Sequence, residues 1–260
     1  MTWKSLQVEW IEITTSIGCP VNCSKFCPQE VTFNRYVGDR NLTLKNFKLA
    51  LEGIPKNVAI FFSGFCEPFA NPEALEMIEY AHSQGYQLTL FTTLYSVDYD
   101  TVKRLIAIPY RDFCLHLPDG QVAKIPLTQK YMRNVFSVIQ GIPNVSFSLM
   151  NHNFVSFDRE NVVRGLATRQ RRIGFCTKHK YPQFVLLPNL DVQLCCMDFG
   201  LWHKLGNLHE ERYVDVRNRF LKANKNFRLC SLCDWNVSLT RRVASRLVES
   251  AIAIMKKRGR

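Results

Sequence analysis

Short apolar runs and longer amphipathic stretches alternate along the first 150 residues of the chain. The short runs are rich in β-branched and aromatic residues, which is typical of buried strands, and they span residues 8–15, 58–62, 87–92, 112–117 and 145–150. Between them, apolar residues recur at helical spacing over residues 44–54, 72–85, 97–108 and 128–142. Strands separated by helices of this length predict βαβ units and a parallel sheet.

The number of strands sets the expected architecture. Five strands before residue 151 are too few for a closed eight-stranded barrel, so we expect an α/β fold with an open, partial barrel of about five or six parallel strands. Beyond residue 158 the alternation ends, and a hairpin is predicted over 184–188 and 191–195. Residues 238–257 have the periodicity of an amphipathic helix. The predicted domains are a partial barrel, a small cysteine-bearing domain and a basic terminal helix, over residues 1–157, 158–237 and 238–260.

Composition limits the class of protein. A chain of 260 residues with 47% hydrophobic residues can bury one main core, and no window reaches the length of an apolar membrane span. The first residues do not form a signal-peptide pattern, so we expect a cytoplasmic protein without a membrane partner. In that compartment the ten cysteines are better explained by metal ligation than by disulfides.

The chain is basic, with a formal net charge of +12. Its Lys and Arg residues are dispersed, apart from clusters at 169–172 and 256–260. A solvated basic surface is therefore favoured over nucleic-acid binding, and an anionic substrate would also fit the charge.

The cysteines Cys19, Cys23 and Cys27 follow the first predicted strand directly. The loop after a strand of such a barrel opens onto the ligand-binding face. Three thiolates on one loop can hold three irons of a cubane cluster and leave the fourth iron open to a ligand. A zinc site and unpaired thiols are the alternatives, but zinc sites are typically built from two pairs of ligands, so a triplet favours the cluster.

Residues 18–29, GCPVNCSKFCPQ, resemble the signature of radical S-adenosylmethionine (radical SAM) enzymes. That signature is Cys-x3-Cys-x2-Cys with an aromatic residue before the last cysteine, and Phe26 occupies the aromatic position. This chain has one more residue between Cys23 and Cys27. The resemblance implies a 4Fe-4S cluster that binds S-adenosylmethionine (SAM), with Phe26 near the cofactor.

The second predicted strand runs into residues 63–68, SGFCEP, which resemble the Gly-Gly-Glu-Pro turn of the same family. Small residues at Ser63 and Gly64 allow the backbone to approach a ligand closely. The resemblance implies that Glu67 accepts a hydrogen bond from the methionine ammonium of SAM. Cys66 is expected to be a small buried filler, and an ordinary βα turn is the alternative explanation of the whole stretch.

Later strand ends carry further polar residues. The resemblance implies that Thr92 or Thr93 contacts the ribose of SAM and that His116 and Asp119 lie near the substrate. The competing interpretation is that each is a turn-capping residue. Residues 151–152 are a further polar pair at such a strand end.

A second set of cysteines, Cys176, Cys195, Cys230 and Cys233, resembles the SPASM or shorter twitch extension of radical SAM proteins. The resemblance implies a second, auxiliary 4Fe-4S cluster with four thiolate ligands. Adjacent side chains of a regular strand point to opposite faces, so only one of Cys195 and Cys196 should be a ligand, and Cys195 is preferred. A zinc ribbon is the alternative.

The family's chemistry gives the expected activity. Radical SAM enzymes reductively cleave SAM to a 5′-deoxyadenosyl radical that abstracts hydrogen from a substrate, with an electron donor such as flavodoxin or ferredoxin. Dehydrogenation is the expected outcome, in which the auxiliary cluster would accept an electron and Asp119 or Asp198 a proton. The wider pattern resembles family members found in polysaccharide and glycoconjugate biosynthesis, which implies a carbohydrate-type small molecule as substrate. Peptide modification and a non-catalytic zinc- or nucleic-acid-binding module are the alternatives.

Overall fold

The computed structural model describes residues 8–21, 23, 27–119, 123, 125–150, 174–176, 181–222, 227–233 and 237–238. The ten strands in these residues are β1 Trp10–Ile13, β2 Ala59–Phe62, β3 Leu88–Thr92, β4 Asp112–Pro118, β5 Ser146–Met150, β6 Gly174–Phe175, β7 Gln183–Leu186, β8 Asp191–Gln193, β9 Lys204–Asn207 and β10 Val237–Ser238. The seven α-helices in them are α1 Gln29–Arg35, α2 Leu44–Glu52, α3 Ala74–Ser83, α4 Tyr99–Ile106, α5 Gln129–Gly141, α6 Tyr213–Lys222 and α7 Arg228–Leu232.

Eight of these ten strands form one sheet, in the order β5-β4-β3-β2-β1-β7-β8-β9, and β6 pairs with β10 in a separate two-stranded sheet. The strands from β5 to β7 in this order are six parallel strands, and β8 and β9 extend them as an antiparallel pair. The predicted α/β class and open sheet of five or six parallel strands are therefore confirmed, as is the predicted hairpin, which forms β7 and β8. The predicted domain boundary at 157/158 and the terminal helix after 238 lie outside the described residues.

The two faces of the sheet differ in what they bury. One face packs against the helices in a continuous apolar core, because alternate strand residues point to the same side. The strand residues in this core include Ile11, Ile13, Ile60, Phe62, Leu88, Leu90, Phe184 and Leu186. The other face carries Trp10 and Phe61, whose rings stack at 4.5 Å, and Phe91, at 6.2 Å from Phe61. These aromatic rings line the inner face of the open sheet.

The helices between the strands start where side chains cap them. Thr43, Asp98 and Thr128 accept hydrogen bonds from the backbone N–H three residues later, at the starts of α2, α4 and α5. Such side-chain caps satisfy N–H groups that have no partner within the helix.

No helix in the described part of the chain combines the length and the apolar character needed to span a membrane.

The region after residue 158 is more regular than the sequence pattern predicts, since α6, α7 and β9 were not predicted there. Tyr213, Val216 and Phe220 form the buried face of α6. The ring of Phe184 in β7 contacts Tyr213 at 6.0 Å and Phe220 at 5.3 Å. Helix α6 therefore covers the β7 side of the sheet, as α2 to α5 cover the rest. Helix α1 was not predicted either.

The hydroxyl of Tyr86, which precedes β3, binds the C-terminal end of α2. The hydroxyl of this buried side chain lies 2.8 Å from Leu51 O and 2.6 Å from Ile54 O, where α2 ends, and the two carbonyls share its single proton. Replacing Tyr86 with Phe leaves both carbonyls without this donor, and we expect the free energy of unfolding to fall by about 2 kcal/mol. Chemical denaturation measures it, and Tyr99→Phe, at an exposed ring, should change it by less than about 0.5 kcal/mol. Equal effects of the two substitutions would contradict this role of Tyr86.

Candidate functional site

The ends of β1, β2 and β3 bring the predicted cofactor-binding residues to one edge of the sheet. The turn after β2 is tied to the end of β1, because Phe65 N donates to Thr14 Oγ1 at 3.2 Å and the Thr15 hydroxyl donates to Pro68 O at 2.8 Å. Parallel strands place their C-terminal ends at the same edge. The cysteine loop that follows β1 therefore faces the turn that follows β2.

The turn after β2 requires a glycine at position 64. Its φ is +61°, and a Cβ built on it would lie 2.4 Å from Thr14 Oγ1 and 2.9 Å from Thr14 Cα. A side chain at this position would therefore force the turn away from β1. Ser63, next to it, is half-buried and donates from its hydroxyl to Glu12 Oε2 at 3.1 Å. The small residues predicted from the sequence thus permit a close approach of two backbone segments.

The carboxylate of Glu67 is buried and held by neighbouring donors. Its Oε1 accepts from the Thr92 hydroxyl at 2.5 Å and from Phe69 N at 3.4 Å. Its Oε2 accepts from Thr93 N and the Thr93 hydroxyl, both at 2.7 Å. Burial raises the pKa of Glu67, and the hydrogen bonds from Thr92 and Thr93 oppose that rise. The structure therefore brings together three residues that the sequence predicted for cofactor binding.

The three cysteines of the first set share one environment beside Glu67. Cys19 Sγ accepts from Glu67 N at 3.4 Å, and Cys27 N donates to Cys23 O at 2.9 Å, which closes the loop. Burial raises the pKa of Cys23, and the charges of Cys27 and Cys19 raise it further. The three thiols are therefore close enough to influence one another electrostatically. Phe26 lies outside the described residues.

Cys66 has a contact that its sequence position did not indicate. It is buried, as expected of a filler, but its thiol also hydrogen-bonds with Cys19. This bond lowers the pKa of Cys19 and raises that of Cys66. A thiol donor at Cys19 would stabilise the thiolate form that a metal ligand needs.

The donor set fits an iron–sulfur cluster. Among the residues that the structure describes, no three His, Cys, Asp or Glu side chains converge on a position for a single metal ion. A cubane cluster takes one thiolate on each of three irons, and three thiols from one loop supply this without His or carboxylate ligands. Cys19, Cys23 and Cys27 are the residues that would hold it.

His116 and Asp119 lie along the end of β4, on the next parallel strand. The His116 ring is 5.8 Å from that of Phe91, and burial lowers the pKa of His116 to about 4. The imidazole is therefore neutral at pH 7 and can accept a proton or donate a hydrogen bond. Asp119 follows the strand and is half-buried. The polar residues 151–152 lie outside the described residues.

The cysteines predicted to form the second set come from separate segments of the chain. Cys176 follows β6, which pairs antiparallel with β10, and β10 begins shortly after Cys233. Cys230 lies within α7, and Cys233 ends that helix. Residues three apart lie on the same face of a helix, so Cys230 and Cys233 are suited to a shared ligand site.

Cys195 and Cys196 follow β8 and have different surroundings. Leu194, which precedes Cys195, donates its N–H to His203 O at 3.1 Å, and the His203 ring lies 5.4 Å from that of Phe227, next to α7. Cys195 belongs to the main apolar core, whereas Cys196 packs against a small cluster of Ile17, Phe65, Val185, Leu187 and Phe199. The two adjacent cysteines therefore differ, since Cys195 shares the main core with Cys233 and Cys230 packs against that core.

Asp198 stabilises its own loop. Its fully buried carboxylate accepts from Trp202 N at 3.1 Å and from His203 N at 2.9 Å, and His203 Nδ1 lies 3.3 Å from its Oδ1. These contacts favour a structural role over proton transfer for Asp198. Its predicted catalytic role stays a prediction.

Substitution of Gly64 tests the close approach of the turn to β1. Gly85 is the matched control, because its φ of +78° is also left-handed but a Cβ there would have no atom within 4 Å. We expect Gly85→Ala to lower the free energy of unfolding by about 1 kcal/mol, from backbone strain alone. Gly64→Ala should lower it by about 3 kcal/mol, because overpacking against Thr14 is added. Equal losses in chemical denaturation would show that the contact with Thr14 is not restrictive.

The pKa of His116 makes stability depend on pH in one direction. Its folded-state pKa of about 4 lies below the ordinary value of 6.5, so between these values the unfolded chain binds a proton that the folded chain does not. The free energy of unfolding should therefore decrease as the pH falls from 6.5 to 4. His116→Gln removes this contribution, and its stability should fall less over the same range in denaturation at stepped pH. Parallel curves for the two proteins would contradict the burial of a neutral imidazole.

Comparison with solved structures identifies the fold. BtrN in complex with AdoMet and 2-DOIA matches with a TM-score of 0.63 at 14% identity, over 82% of this chain and 84% of BtrN. anSMEcpe with bound AdoMet matches with a TM-score of 0.55 at 14% identity, over 86% and 81% of the two chains. Streptococcus suis SuiB bound to the precursor peptide SuiA gives 0.54 at 12% identity, over 89% and 72%.

Sequence comparison adds no relative to these. No protein-family model and no curated protein matches the sequence. The three structural neighbours are radical SAM enzymes, so the predicted resemblance is confirmed at the level of the fold. A parallel sheet that carries the cysteine triplet after β1 and the Glu67 turn after β2 therefore gives this chain the fold of the radical SAM enzymes.

Proposed function

We propose that the protein is a radical SAM enzyme that acts on a polar small molecule. The observation that carries the proposal is the contact between Cys19 Sγ and Glu67 N at 3.4 Å. It joins the cysteine loop to the turn that is proposed to bind the SAM ammonium. When bound, the 4Fe-4S cluster and SAM supply a 5′-deoxyadenosyl radical that removes a hydrogen atom from the substrate.

The residues around Glu67 would bind and orient the cofactor. The Glu67 carboxylate accepts a charge-assisted hydrogen bond from the ammonium, and Thr92 and Thr93 hold the carboxylate in place for it. The hydroxyl of Thr92 or Thr93, at the end of β3, is also proposed to contact the ribose of SAM. Gly64 allows the turn to pack directly against Thr14 of the β1 end, and Phe26 is the aromatic residue proposed to pack near the cofactor.

The substrate is proposed to lie over the inner face of the sheet, near the ends of β3 and β4. Phe91 and the neutral imidazole of His116 are both half-buried there and offer an apolar surface with one hydrogen-bonding group. Asp119, which follows β4, is proposed to accept the proton that leaves when the substrate is oxidised. The match to BtrN, crystallised with 2-DOIA, extends over similar shares of both chains and supports a small-molecule substrate. We propose a carbohydrate-type molecule because the sequence pattern resembles family members of polysaccharide and glycoconjugate biosynthesis.

Peptide modification is the second candidate. SuiB was crystallised with a precursor peptide, and it shares this fold. This chain, however, spans only 72% of SuiB and matches it with a lower TM-score than BtrN. A small molecule is therefore the first substrate class to test.

The second cysteine set is proposed to hold an auxiliary cluster. Cys176 follows β6, which pairs with β10, and Cys230 and Cys233 lie in and at the end of α7, the helix that precedes β10. Cys195 and Cys233 belong to the same apolar core, which supports a shared site. Four thiolates would complete the shell of a 4Fe-4S cluster, which could accept one electron from the substrate radical as that radical is oxidised. A small electron-transfer protein of the flavodoxin or ferredoxin type would supply the electron for SAM cleavage.

Anaerobic reconstitution tests this function. We expect about eight irons per chain and the formation of 5′-deoxyadenosine when SAM and a reductant are added. Cys19→Ala should abolish cleavage, because one iron loses its ligand, and Cys230→Ala should retain part of it. Cys114→Ala, at a buried thiol outside both sets, is the control and should retain iron and cleavage.

Two outcomes would contradict the proposal. Zinc in place of iron in anaerobically purified protein would exclude the cluster at the first cysteine set. About four irons per chain with undiminished cleavage in Cys230→Ala would exclude the auxiliary cluster alone.

A further inference from the structure

Gln29, the first residue of α1, contacts both parts of the proposed cofactor site. Its side-chain Nε2 donates to Cys27 Sγ at 3.2 Å and also to the backbone carbonyl of Phe65 in the turn after β2. Its Oε1 accepts from Cys19 N at 3.4 Å. One amide group therefore joins two cysteines of the loop to the turn that carries Glu67.

The orientation of this amide follows from its partners. The Phe65 carbonyl can only accept a hydrogen bond and the Cys19 N–H can only donate one, so Nε2 must face Phe65 and Oε1 must face Cys19. The two N–H bonds of the NH2 group then serve Phe65 O and Cys27 Sγ. A donor is thus directed at a sulfur that is proposed to ligate iron.

We propose that Gln29 is a positioning residue of this site: it fixes the Glu67 turn to the cysteine loop and donates an N–H···S hydrogen bond to the Cys27 ligand. The role of the N–H···S hydrogen bond rests on the proposed function, because it requires that Cys27 is a ligand of an iron–sulfur cluster. Hydrogen bonds to the ligand sulfurs are one of the factors that set the reduction potential of iron–sulfur clusters. A donor at sulfur stabilises the more negative, reduced state and therefore raises the potential.

An ordinary role at a helix start predicts different behaviour. If Gln29 only begins α1, its loss would affect the helix and leave the turn after β2 and the cluster potential unchanged. Gln29→Leu removes all three hydrogen bonds at similar volume. Gln29→Glu keeps the acceptor for Cys19 N but replaces the donor with a carboxylate oxygen that faces Cys27 and Phe65. Gln129→Leu, at an exposed position at the start of α5, is the matched control.

The first measurement is hydrogen–deuterium exchange of the full-length, metal-free chain. In Gln29→Leu, we expect backbone amides of residues 63–68 to exchange about fivefold to tenfold faster, as for the loss of one buried hydrogen bond. Gln129→Leu should exchange like the wild type. Unchanged exchange of the turn in Gln29→Leu would overturn the proposed link, whether or not the protein binds a cluster.

The second measurement is a redox titration of the reconstituted protein, followed by electron paramagnetic resonance. The midpoint potential of the SAM-binding cluster should become more negative in Gln29→Leu and more negative still in Gln29→Glu, where a negative charge is added. Unchanged potentials in both variants would overturn the N–H···S role. If wild-type protein holds this cluster but forms no 5′-deoxyadenosine, the proposed function fails, while the shift in potential still decides the role of Gln29.

Discussion

A carboxylate removed from water determines how the candidate site is arranged. Glu67 lies in the turn after β2, and both of its oxygens accept hydrogen bonds from neutral donors at the end of β3 and within the turn. Burial of a charge is costly unless such partners replace water. The turn, the end of β3 and the carboxylate therefore hold one another in position. The backbone N–H of the same residue contacts Cys19, so the cysteine loop is placed by this arrangement too.

The hydrogen bonds of the β2 turn explain why the candidate site residues lie together at one edge of the sheet. The parallel strands bring three loops together, but strand order alone does not bring side chains into contact. Thr14 and Thr15 bind the β2 turn to β1, and Thr92 and Thr93 bind it to β3. A ligand at this edge would meet a surface whose polar groups are already oriented, which lowers the ordering cost of binding.

The sequence predicted those features that depend on local pattern. Alternating strands and helices predicted the parallel sheet. The small residues after β2 were predicted to let the backbone approach a ligand, whereas the structure shows that Gly64 lets the turn approach Thr14 at the end of β1. Contacts between distant segments could not be predicted in this way. The bonds of Gln29 with Phe65 and of Cys66 with Cys19 depend on how two loops face each other, and no spacing within one segment encodes that. Helix α6 was missed because its three buried residues, Tyr213, Val216 and Phe220, stand among many charged ones.

The contact between Gly64 and Thr14 has an evolutionary consequence. Two of the atoms that a Cβ at position 64 would meet, Cα and N of Thr14, belong to the backbone. No replacement of the Thr14 side chain can therefore make room for a larger residue at 64. In a diverging lineage, this glycine could change only together with the spacing between the ends of β1 and β2, and so only with loss of the turn itself.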